Sequence, residues 1–149
     1  MKQNRFDIFS SSVLQVAKTV QSIKSRKMAE YDLKGTNVLC LCEVYDSGEE
    51  GLTATELSRC CGIDKAQVSR CMKELIDLAL IYRNDRDGHR YKQKYLLTEK
   101  GREVAKDLVG VANRVQATLR QGISAEELDQ FYRILSTMCE NGAALEKTE

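Results

Sequence analysis

Phe9, Val13, Val16, Val20 and Ile23 recur at alternating spacings of four and three residues, the repeat that lines up side chains on one face of an α-helix. They predict a helix over about residues 6 to 31, interrupted at Lys34-Gly35. Val38, Leu39, Leu41, Cys42 and Tyr45 then make residues 36 to 45 apolar on several sides, as in a buried helix, and Asp46-Ser47-Gly48 ends it. Thr53-Ala54-Thr55-Glu56 has the spacing of a capping box, in which the Thr53 hydroxyl accepts from the amide of Glu56 and the carboxylate returns the bond. The helix it opens is short, because Gly62 suits a left-handed C-terminal cap and Ile63 supplies the accompanying apolar contact. Asp64 caps the next helix with Gln67 as its box partner, and Val68, Cys71 or Met72, Leu75 and Leu78 give that helix an apolar face to about residue 79.

Beyond this pair of helices the period changes. Residues 80 to 84 and 91 to 97 are rich in Tyr, Ile and Leu and predict a β-hairpin. Its tip, Asp85-Arg86-Asp87-Gly88-His89-Arg90, holds an Asp-Gly turn signal and is too polar for a core. Val104, Leu108, Val111, Val115 and Leu119 return to helical spacing from Thr98 to near Gly122. Ser124 and Glu127 form another capping box, opening a final helix with Leu128, Phe131, Leu135 and Met138 on its apolar face, and residues 143 to 149 are expected to fray. The sequence contains no proline, no internal repeat and no Ser/Gly-rich linker.

The order of elements predicts a mainly α fold with a small β-hairpin wing: a winged helix-turn-helix with long N- and C-terminal dimerisation helices. Residues 1–34 are a dimerisation helix, 35–97 a DNA-binding lobe and 98–149 dimerisation helices, within one compact domain overall. A helix-turn-helix core of about 60 residues leaves the apolar stripes of the flanking helices without a partner, which points to a homodimer. A length of 149 residues fits one domain, 42% apolar and 30% charged residues mark a soluble globular chain, and no apolar run is long enough to span a membrane. A cytoplasmic location without membrane partners is the expectation.

Net charge is only +1, so a uniformly basic nucleic-acid-coating protein is excluded. The distribution is more informative: residues 63 to 94 carry eight basic and five acidic groups, whereas residues 35 to 62 carry one basic and five acidic. The polar face of the second helix of the pair presents Lys65, Gln67, Ser69, Arg70 and Lys73, a mixture of phosphate-binding cations and groups able to bond base edges. The hairpin adds Arg83, Arg86, His89, Arg90, Lys92 and Lys94, suited to phosphates or a narrow minor groove. Double-stranded DNA is the partner that this chemistry fits.

At these residues the sequence resembles the MarR family of bacterial transcription regulators. The matching segments are Leu52 to Ser58, Gly62 to Arg70, Leu75 to Ile81, and Leu97-Thr98-Glu99-Lys100-Gly101, the last being the most specific. The resemblance implies an obligate homodimer with interlocked terminal helices, acting as a repressor or activator whose DNA affinity responds to a small-molecule effector. It places Lys65, Gln67, Ser69, Arg70 and Lys73 where the family's recognition helix meets DNA, and Arg86 and Arg90 in the wing. The sequence departs from the family pattern in a wing tip one residue longer, with Gly88 at its apex, and in Leu78-Ala79-Leu80-Ile81, which lacks the glycine that commonly ends the recognition helix.

The reading reached is a sequence-specific DNA-binding regulator, a repressor, working as a homodimer on an inverted repeat and released by a small ligand. A winged-helix protein–protein adaptor is the alternative, since the fold alone does not imply DNA. Enzyme chemistry is not expected, because His89 is the sole histidine and no nucleophile–base set, paired catalytic carboxylates or Gly-rich phosphate loop is present. Nor is a cofactor or metal expected, because the six cysteines include no CxxC pair. These cysteines are expected to be reduced packing residues, with oxidation of Cys60, Cys61 or Cys71 near the reading helix as the alternative signal to a ligand.

Overall fold

A computed structural model describes residues 4–84 and 93–148. In chain order these form α1 (Arg5–Ala29), α2 (Gly35–Asp46), β1 (Leu52–Thr53), α3 (Ala54–Cys61), α4 (Lys65–Asp77), β2 (Ile81–Asn84), β3 (Lys94–Leu97), α5 (Glu99–Leu119) and α6 (Ala125–Glu146). The chain divides into two compact units, residues 1–112 and residues 113–149, with the division falling inside α5.

The first unit holds the apolar core. α2 is its centre, with Cys40, Leu41 and Val44 wholly enclosed. Leu57 from α3 and Val68, Met72 and Leu75 from α4 pack around it, Leu80 and Ile81 close one end, and Val104 and Ala105 of α5 complete the set. Of the apolar face assigned by helical spacing, Val68, Leu75 and both Cys71 and Met72 are buried, whereas Leu78, the C-cap of α4, is half-buried. One polar residue lies in this core, Asn37. Its amide Nδ2 donates to Glu74 Oε2 at 2.8 Å and its Oδ1 accepts from the backbone N–H of Lys34 at 3.2 Å, so neither end is left unsatisfied and α4 is pinned to the start of α2.

The three strands form an antiparallel sheet in the order β1-β3-β2, with Leu52 opposite Tyr95, Thr53 opposite Lys94, and Ile81 opposite Leu97. The sequence predicts only the hairpin β2–β3. β1 was missed because two residues are too few to display an alternating pattern. Gly51, just before it, has φ +66°, and a Cβ there would lie 2.6 Å from the Tyr95 carbonyl oxygen, so the approach of β1 to β3 requires glycine on both counts.

α1 carries its predicted apolar stripe without fully burying any of it: Phe9, Val13 and Val16 are 42%, 47% and 50% exposed, and Val20 and Ile23 are half-buried. Near its C-terminal end Lys27 pairs with Asp107 of α5 at 2.7 Å, and the Tyr31 hydroxyl donates to the same carboxylate. Asp107 holds both side chains protonated: the Lys27 ammonium is favoured, with help from Glu30, and the Tyr31 phenol is pushed up.

In the second unit, a turn with Gly122 at φ +79° leads to α6. Ser124 and Glu127 close the capping box reciprocally, at 3.2 and 2.8 Å, and the Glu127 carboxyl sits below its ordinary value because the Ser124 N–H and hydroxyl favour its charged form. α6 remains helical to Glu146 rather than fraying from residue 143, since no proline or C-cap glycine intervenes after Gly142. It too buries no residue, and Phe131 and Met138 stand 53% and 43% exposed.

Candidate nucleic-acid interface

α3 and α4 are each started by a side chain that the sequence named. The Thr53 hydroxyl accepts from the Glu56 amide at 3.2 Å, and Glu56 accepts from the Thr53 N–H at 2.8 Å and from its hydroxyl at 3.0 Å. These bonds, the backbone one foremost, hold the Glu56 carboxyl below the usual range. Gly62 ends α3 in the left-handed conformation at φ +64°, and Ile63 N–H closes the turn on the Ser58 carbonyl. Two residues later Asp64 caps α4 by accepting from the Gln67 amide at 2.8 Å. With α4 fixed at its start by this cap and in its middle by Asn37–Glu74, the face opposite its buried stripe is held toward solvent.

On that face lie Lys65, Ser69, Arg70 and Lys73, all exposed. Gln67 is placed differently. It is half-buried, and its Oε1 accepts from the Asp64 N–H at 3.2 Å, so the carboxamide serves the cap and has its oxygen engaged. Gln67 therefore lies at the margin of the exposed face of α4, and bidentate contact with an adenine would require opening the capping box. Arg83 is exposed on β2 and Lys94 half-buried on β3. Arg86, His89, Arg90 and Lys92 lie outside the described residues.

The end of the wing shows why the segment Leu97-Thr98-Glu99-Lys100-Gly101 is distinctive. Leu97 is a core residue, and the Thr98 N–H donates to the Leu80 carbonyl at 3.0 Å while its hydroxyl donates to the Ala79 carbonyl at 2.7 Å. The same hydroxyl caps α5 by accepting from the Gly101 amide at 2.9 Å, and Lys100 Nζ reaches the Leu78 carbonyl at 3.1 Å. Gly101 lies directly on the Leu80 backbone. Four of these five residues, Leu97, Thr98, Lys100 and Gly101, thus latch the end of α4 to the start of α5. The turn they hold contains Ala79 at φ +58°, so the missing glycine of this turn is replaced by a residue with a Cβ in a left-handed conformation. Neither Lys100 nor Thr98 was singled out from sequence as supporting the reading helix; their partners are backbone carbonyls about 20 residues earlier, which no local pattern reveals.

All six cysteines lie on helices; Cys40 and Cys71 are buried, Cys42 and Cys61 half-buried, Cys60 and Cys139 exposed. Among the described residues no group of three His, Cys, Asp or Glu side chains is arranged to hold a metal ion, and no helix is long and apolar enough to cross a membrane.

A sequence profile of the MarR family matches residues 31–90, from the end of α1 through α4 and β2. Solved structures share the fold over most of the chain. The S. aureus MepR–DNA complex is 20% identical with a TM-score of 0.71, covering 89% of this chain and 98% of that one. S. aureus MepR bound to ethidium bromide is 20% identical with a TM-score of 0.70, covering 89% and 95%. A MarR transcriptional regulator from Methanosarcina mazei is 21% identical with a TM-score of 0.67, covering 93% and 99%. Sequence pattern and fold agree: residues 31–90 match the MarR family profile, and the chain has the winged-helix fold of these structures.

Proposed function

We propose that the protein is a sequence-specific, double-stranded DNA-binding transcriptional repressor that acts as a homodimer on an inverted repeat and is released by a small-molecule ligand. The observation that carries this reading is the exposed polar face of α4: Lys65, Ser69, Arg70 and Lys73 on a helix of 13 residues that is capped and pinned so that this face stays outward. A helix of that size fits a major groove, with Arg70 and Ser69 toward base edges, Lys65 and Lys73 toward phosphates, and Gln67 in a supporting place. Arg83 and Lys94 extend the cationic surface into the wing, and Arg86, His89, Arg90 and Lys92 are assigned by their sequence position to its DNA contacts. The similarity to MepR in complex with DNA supports this use of the lobe, and the ethidium-bound MepR supports release by a small organic ligand.

The apolar stripes of α1 and α6 are the basis for the homodimer. Phe6 to Val16 and Phe131 to Met138 expose large apolar side chains at helical spacing, more than an isolated soluble chain normally leaves to water. Residues 1–34 and 98–149 are accordingly assigned to dimerisation and 35–97 to DNA. One experiment tests both halves of the proposal: sedimentation and binding titration of the purified protein with a random duplex at several salt concentrations. The expected result is a dimer free in solution, two chains per bound duplex, and an affinity that falls steeply as salt rises, through counterion release from several phosphates. A well-folded monomer at micromolar concentration contradicts the dimer, and duplex affinity absent even at low salt favours the protein–protein adaptor.

A further inference from the structure

Asn37, the buried polar residue of the core, uses the two ends of its amide differently. Its Oδ1 accepts from the Lys34 N–H at 3.2 Å, a bond at the start of α2 that an aspartate would make as well. Its Nδ2 donates to Glu74 Oε2 at 2.8 Å across to α4, and that bond requires the amide. The partners fix the orientation, since a backbone N–H needs the oxygen and a carboxylate needs the NH2. An aspartate in this place would serve the first partner and repel the second.

What Glu74 would otherwise do is set by its place on α4. Arg70 lies four residues before it, so the two side chains are neighbours on the helix surface, and both residues are exposed. An arginine and a glutamate at that spacing attract one another. Yet among the described residues no ion pair joins them. The carboxylate is on Asn37 instead, in the first turn of α2, where the helix dipole also favours a negative charge.

We propose that Asn37 is a specificity-determining positioning residue: by holding Glu74 against α2, it keeps the Arg70 guanidinium open for a base edge. Freed from Asn37, Glu74 turns to Arg70. Contact with a guanine then has to break that pair in each half-site, whereas binding to random duplex does not, so discrimination falls rather than affinity in general. A pair at this spacing, counted once in each half of a dimer, is worth about two- to fivefold in the ratio of affinities. The effect on DNA rests on the reading of α4 as the DNA-contacting helix; the diversion of Glu74 from Arg70 does not.

The test is a double-mutant cycle on the full chain, with Asn37→Ala, Glu74→Gln and the two combined, each titrated against a duplex selected from a random pool and against random duplex. Asn37→Ala is expected to lower the selected-to-random ratio about two- to fivefold, and Glu74→Gln in the same chain to restore it, because glutamine has no charge to place on Arg70. Loss of α4 packing alone gives no such rescue. A ratio unchanged in Asn37→Ala, or still low in the double variant, overturns the proposal. Glu74→Gln alone leaves the core intact and keeps the question open to test if Asn37→Ala does not fold. It is expected to leave the ratio where it is, and a rise of about twofold or more shows that Glu74 already sits on Arg70 and overturns the proposal. The Arg70 Nε–H resonance, assigned with Arg70→Lys, reads the diversion without DNA: it is expected to move in Asn37→Ala and to return in the double variant. A resonance that Asn37→Ala leaves in place overturns the diversion. If the parent binds no duplex, the DNA reading fails while this resonance still decides where Glu74 sits.

Discussion

Gly101→Ala destabilises the winged-helix lobe by about 3 kcal/mol or more, a large part of the ~5–15 kcal/mol by which domains of this size are stable. A Cβ at this position would lie 1.8 Å from the Leu80 carbonyl oxygen, 2.7 Å from its carbonyl carbon and 3.1 Å from its Cα. All three atoms are backbone, so no rotamer change relieves the overlap, and the start of α5 must move away from the α4–β2 turn. The movement costs more than the overlap. It pulls the Thr98 N–H off the Leu80 carbonyl and the Thr98 hydroxyl off that of Ala79, while Val104 and Ala105 lose their place in the core. Gly101 is helical, so the higher helix propensity of alanine returns only about 1 kcal/mol. Urea unfolding of parent and variant measures the difference, and an unchanged midpoint contradicts the close packing of α5 on Leu80.

Arg70→Ala abolishes most of the preference for operator over random duplex while leaving the fold intact. Arg70 is exposed midway along α4, opposite Val68, Met72 and Leu75, and its removal takes nothing from the core. A guanidinium at that place can bond both acceptors on a guanine edge, worth about 1–3 kcal/mol of discrimination for each such pair, and the proposed dimer would make the contact twice. Random duplex loses only the general attraction of one cation per chain, so the ratio of affinities falls by about 30-fold or more. Arg86→Ala with Arg90→Ala behaves in the opposite way: both duplexes weaken together, the ratio holds, and the dependence on salt becomes shallower. An Arg70→Ala protein with full discrimination shows that α4 is not the reading element.

What the sequence discloses and what it withholds divide along the distance between interacting residues. The boxes Thr53–Glu56, Asp64–Gln67 and Ser124–Glu127 all formed as read, because a capping partner lies three residues away and its spacing is visible in the chain. The left-handed end of α3 at Gly62 was legible for the same reason. The latch from Thr98, Lys100 and Gly101 to residues 78–80 was not, because its acceptors are carbonyls that every residue possesses. The Cys40–Cys61 approach was hidden likewise: 21 residues separate the two, and only the packing of α2 against α3 brings them together.

Gln67 is the instructive case for the site itself. Its position on α4 qualifies it both as the partner of Asp64 in the capping box and as a reader of base edges, and the residue types alone do not choose. The structure has its oxygen bonded to the Asp64 N–H, so the proposed direct readout rests on Arg70 and Ser69. Lys65, Ser69, Arg70 and Lys73 were assigned correctly to one exposed face because a helix buried on one side must show its remaining residues on the other.

Sequence-dependent reading of duplex DNA by α4 is decided by selecting bound sequences from a random duplex pool with the purified protein. The expected result is enrichment of an inverted repeat whose half-sites are centred about 10 base pairs apart, one turn of the double helix, as two reading helices related by a twofold axis would require. A recovered pool with no shared sequence, at salt concentrations where the protein retains duplex, would contradict it.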